Sequence, residues 1–118
     1  MKTLRFPIAA ITDEYSPNDL SLALEAMAAS GMTGAELRVV FGKNIMDLTD
    51  DELRTAKDLA DARGITIVGI ASPLLKCVLP NGPEVDTRFQ QDIFNSRHTF
   101  EDQPRLLDRA FQISEITG

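Results

Sequence analysis

The stretch GAELRVVFGKN, residues 34–44, decides how the chain is read. Ala35, Leu37 and Val39 alternate with Glu36, Arg38 and Val40, which is the period of two that belongs to a strand. The patterns on either side are helical, of the kind that bury a sheet on both faces. A strand in that setting needs somewhere to put a carboxylate and a guanidinium that point the same way.

Working outward, the flanking segments repeat one plan. FPIAAIT (6–12) reads as a buried strand with Pro7 tolerated near its start. SPNDLSLALEAMAASG (16–31) reads as a helix, with Ser16 as N-cap, Pro17 at the first helical position and Asp19 completing a capping-box-like pattern. Leu20, Ala23, Leu24, Met27 and Ala28 form its apolar stripe, and Gly31 stops it. After the strand AELRVV (35–40), TDDELRTAKDLADARG (49–64) carries a Thr49–Glu52 capping box, a stripe of Leu53, Ala56, Leu59 and Ala60, and a terminal Gly64. ITIVGIA (65–71) is the third strand. A long polar connection with Pro73, Pro80, Gly82 and Pro83 follows, with a short helical piece around Thr87–Phe94. The last helix, Asp102 to Thr117, presents Leu106, Ala110 and Ile113 beside Leu107 and Phe111.

Strand starts at Phe6, Ala35 and Ile65 are 29 and 30 residues apart. Helices between successive strands imply parallel pairing with right-handed crossovers. A (β/α)8 TIM barrel of about 250 residues averages about 31 residues per unit. The expected fold is therefore α/β, the first three βα units of such a barrel, incomplete, with residues 1–118 as its N-terminal portion.

Composition narrows the function classes. The chain of 118 residues is 43% hydrophobic and 25% charged, an ordinary globular balance that allows a real core. A formal net charge of −6 without a Lys/Arg cluster repels a phosphate backbone, so nucleic acid is not an expected partner. Cys77 is the only cysteine, which fits a reducing compartment. The apolar run before Thr12 is too short for a secretory signal, and no stretch approaches the ~20 residues of a membrane span. A cytoplasmic protein with no membrane partner is expected.

ELRVVFGKNIMDLTDDEL, a strand ending in ASPLLK, and RHTFEDQPRLLDRAFQISEITG together resemble the sugar phosphate isomerase/epimerase family, which shares the xylose isomerase-like TIM barrel. The resemblance covers nearly all of the chain and matches the N-terminal part of such a barrel. It implies isomerisation or epimerisation of a small sugar, sugar phosphate or polyol with a divalent metal (Mn, Mg or Zn). It also implies metal ligands on later strands, so none is assigned in this chain. The chain by itself is expected to bind no divalent metal tightly and to catalyse no isomerisation.

The candidate substrate-binding residues are Glu14, Glu36, Arg38, Lys76 and His98; no catalytic residue is assigned. Glu36 and Arg38 can form an interior ion pair near the barrel mouth, with Arg38 offering a forked donor to a substrate oxygen or phosphate, or can serve as a structural pair between layers. Asp13 and Glu14 follow the first strand as adjacent carboxylates suited to acid/base work, or to a solvated loop leading into a helix. Lys76 matches the family's SPLLK segment as an anion contact, against the alternative of a surface lysine. His98, the only histidine, is either a residue over the mouth or a turn and capping residue. Cys77 has no histidine pattern for nucleophilic catalysis, and Gly42 lacks the spacing of a phosphate-binding loop.

Two other classes compete. A metal-dependent endonuclease needs several early histidines and a basic face. A receiver-type signalling module needs five strands and an acceptor Asp where this chain has ASPLLK. A non-catalytic sugar-binding barrel stays open.

Overall fold

A computed structural model describes residues 6–83 and 98–118. Its elements are β1 (Ala9–Ile11), α1 (Leu20–Ala29), β2 (Gly34–Leu37), β3 (Val39–Val40), β4 (Lys43–Asn44), α2 (Asp50–Asp61), β5 (Thr66–Ile70) and α3 (Gln103–Thr117). The fold is α/β: β1, β2 and β5 form a parallel sheet in that order. β1 pairs Ala9 with Gly34 and Ile11 with Glu36, while β2 pairs Ala35 with Ile67 and Glu36 with Gly69 across a bulge at Val68.

The helices meet one face of this sheet. Leu24 and Met27 of α1, Leu53 and Ala56 of α2, and Leu106 and Ile113 of α3 join Ala35, Leu37 and Ile67 in a single core cluster. Consecutive strands lying side by side, with both crossover helices in that one cluster, make a singly wound sheet. Its other face carries Ala9, Gly34 and Val68. There a Cβ on Gly34 would stand 2.8 Å from that of Ala9, so β1 crosses β2 too closely for any side chain at residue 34.

Local chemistry moves several element boundaries. β1 is shorter than the expected 6–12, and Phe6 and Ile8 stand exposed ahead of it. Helix α1 begins at Leu20 because Asp19, in an extended conformation, accepts the Leu22 N–H and so caps the helix. Ser16 is thus not the cap; its hydroxyl accepts the Asp19 N–H, and Pro17 lies outside the helix. The capping box of α2 forms as read, with Thr49 and Glu52 each accepting the other's backbone N–H. In α3, Leu106, Ala110 and Ile113 are buried while Leu107 and Phe111 are exposed. The helical piece expected at Thr87–Phe94 lies outside the described residues.

The continuous strand over 35–40 is also divided. Arg38 leaves the ladder, and Val39–Val40 fold back on Lys43–Asn44 as an antiparallel hairpin. Its two-residue turn, Phe41 and Gly42, has φ of 54° and 71°, the primed turn whose twist matches a hairpin. The Gly42 N–H bonds the Pro17 carbonyl at 2.9 Å, which fastens the hairpin tip to the segment before α1. Asn44 then caps a short 3-10 turn, Ile45–Asp47, by accepting the Met46 N–H.

Among the described residues no helix is long and apolar enough to cross a membrane.

Candidate functional site

The charged residues gather at the carboxyl ends of β1 and β2. Past β1 the chain makes a 3-10 turn, Thr12–Glu14, closed by the Tyr15 and Ser16 N–H groups on the Thr12 carbonyl. The register that pairs Ile11 with Glu36 brings Asp13, two residues on, abreast of Arg38. Arg38 Nε donates to Asp13 Oδ2 at 2.9 Å, and Nη2 donates to Oδ1 at 2.8 Å. Nη2 also donates to Glu14 Oε1 at 3.0 Å. The bond to Asp13 raises the Arg38 guanidinium above its ordinary pKa, against a burial that lowers it.

This corrects two expectations. Among the described residues Arg38 takes Asp13 and Glu14 as partners, not Glu36 of its own strand. Residues i and i+2 of a strand stand roughly 6.6 Å apart, whereas neighbouring strands are only about 4.8 Å apart, so the cross-strand carboxylate wins. Nor is Asp13 part of a solvated loop: its side chain is 1% exposed, against 66% for Glu14. Asp13 is the residue whose role the sequence did not rank, and the signal for it is register.

Glu36 is half-buried. Ala35 and Leu37 enter the core under the helices, so by alternation Glu36 belongs to the open face. Lys76 and His98 belong to the third loop. Lys76 is exposed in a turn that its N–H closes on the Pro73 carbonyl. His98 Nδ1 lies 3.8 Å from Asp102 Oδ2 at the head of α3. The Asp102 carboxyl is held below its usual range first by the Thr99 N–H. Gln103, only 7% exposed, ties this corner together by accepting the Leu75 N–H at 2.8 Å and donating to the Thr99 carbonyl at 2.9 Å.

A divalent metal does not fit the carboxylates of this cluster. Both oxygens of Asp13 and one of Glu14 already accept from a guanidinium, which a cation would have to displace. Among the described residues no three of His, Cys, Asp and Glu converge. An open groove of about 450 Å³ lies at the other end of the sheet, where Ala9, Gly34 and Thr66 begin their strands; its lining holds no ionisable side chain.

The cluster's chemistry is therefore hydrogen bonding. Glu14 and Glu36 offer acceptors, and the guanidinium is held rigidly in plane by two bonds to one carboxylate. No family model, curated protein or solved structure matches the chain.

Proposed function

We propose that this chain is the N-terminal part of a sugar isomerase/epimerase-like TIM barrel and that the carboxyl ends of β1, β2 and β5 form part of its sugar-binding mouth. The observation that carries the reading is the Asp13–Arg38–Glu14 cluster, built where two successive parallel strands end. Barrels of this architecture place substrates at that end and use the other for stability. The strand order and one-sided helix layer also favour a barrel over a receiver-type module, which winds helices onto both faces of its sheet. The residues proposed to touch the sugar are Glu14, Glu36 and Arg38, with Lys76 and His98 contributed by the third loop.

The ion pair favours binding over turnover by these strands. A guanidinium committed to Asp13, and a Glu14 bonded to it, are positioned to hold hydroxyls, not to shuttle protons. A metal-assisted step would draw on ligands from elsewhere in the barrel. Titrating the isotope-labelled chain with aldoses, ketoses and their phosphates, followed by NMR, tests the reading. Shifts centred on residues 12–15, 36–38 and 71–76 support it. Shifts confined to the groove lined by Ile8, Thr66 and Val68, or no shifts at all, sink it. Incubation in deuterated buffer should show no solvent exchange into the sugar with this chain alone.

A further inference from the structure

We infer that this mouth takes the uncharged sugar or polyol and discriminates against its phosphate ester; the inference rests on the reading of the cluster as a sugar site. A bound phosphate needs an uncompensated cation or a set of backbone N–H groups aimed at it. Arg38 is already compensated twice, by Asp13 and by Glu14. With the half-buried Glu36 on the same face, one cation stands among three carboxylates of the described residues there, a formal charge of two negatives. Lys76 does not reverse this, since the described residues of its loop, 71–83 and 98–102, set Glu101 and Asp102 against it.

Among the described residues the backbone offers no better handle. In a βα unit the helix starts beside the carboxyl end of its strand, so an anion would look for the N-terminus of α1, α2 or α3. Each carries acid at its head, which disfavours a second anion there. Asp19 accepts the Leu22 N–H at the head of α1, and Asp50, Asp51 and Glu52 fill the first turn of α2. Asp102 stands at the head of α3. The N–H groups of Tyr15 and Ser16, in the turn nearest Arg38, are both spent on the Thr12 carbonyl. Carboxylates with a fixed guanidinium between them suit a row of hydroxyls, which donate to the former and accept from the latter.

The experiment compares a hexose with its own 6-phosphate, and a pentose with its 5-phosphate, on the full chain. The readouts are the Arg38 side-chain Nε–H resonance and the backbone of residues 12–15. The neutral sugar should bind at least about tenfold more tightly than its ester, the order of repulsion expected between a dianion and a doubly negative mouth at low salt. Glu14→Gln, at an exposed position that leaves the fold intact, and Glu36→Gln should each narrow that ratio. A phosphate ester that binds as well as or better than its sugar overturns the inference while leaving the sugar-site reading standing. Failure of every ligand to move these resonances overturns both.

Discussion

A carboxylate as enclosed as that of Asp13 needs its charge matched on the spot, and Arg38 matches it in the bidentate geometry that only a guanidinium supplies. Removing one partner of such a pair strands the other. Arg38→Ala should therefore lower the unfolding free energy by about 3 kcal/mol, and Arg38→Lys should recover only part of that, both read from urea melts. Asp13→Asn combined with Arg38→Gln should cost less than the sum of its single changes, the mark of direct coupling in a double-mutant cycle. Glu52 offers a contrast on the surface. The Lys43 ammonium, 2.7 Å away, and then the Thr49 N–H hold its carboxyl below the ordinary 4.5. A carboxyl depressed in the folded state adds stability that is complete above its unfolded pKa and is lost as pH falls through the folded one. Glu52→Gln should accordingly flatten the decline in stability below pH 4.5, measured as the melting temperature across an acid series.

At the level of elements, the parallel sheet depends on a place where two strands nearly touch. Gly34→Ala would set a methyl 2.8 Å from Ala9 Cβ and 3.1 Å from Val68, so β1 must shift away from β2. A loss of about 1–3 kcal/mol is expected, with amide exchange in β1 quickening before that in α2. The helices were legible in sequence because their signals are local: Thr49 and Glu52 name the start of α2 three residues apart, and Leu53, Ala56 and Ala60 name its buried side. The β3–β4 hairpin was not, because its turn places Phe41 where the usual signature wants Asn, Asp or Gly. The α1 cap was misplaced by three residues because Ser16 and Asp19 both offer an oxygen, and backbone geometry chooses between them. The partner of Arg38 was beyond local reading altogether, since it follows from the register of β1 on β2 and not from any spacing within residues 34–44.

For the whole molecule, the sheet face opposite the helices is the main liability. Val68 is 60% exposed in the last strand of the sheet, and Ile8 is 45% exposed just ahead of the first. In the proposed barrel further strands close against these edges. Alone, the chain should self-associate, and Val68→Lys should reduce that association in light scattering. A chain that stays monomeric at high concentration and melts cooperatively would argue against the barrel reading. A different consequence follows from Gln103. One amide side chain grips the backbone at both Leu75 and Thr99, so two segments far apart in the chain are held by a single clasp. Gln103→Leu, which opens the clasp and leaves both backbone groups without that partner, should lower the melting temperature. The loop that leaves β5 and the turn that enters α3 are thus fastened by one residue, which makes position 103 a single point of failure for that corner.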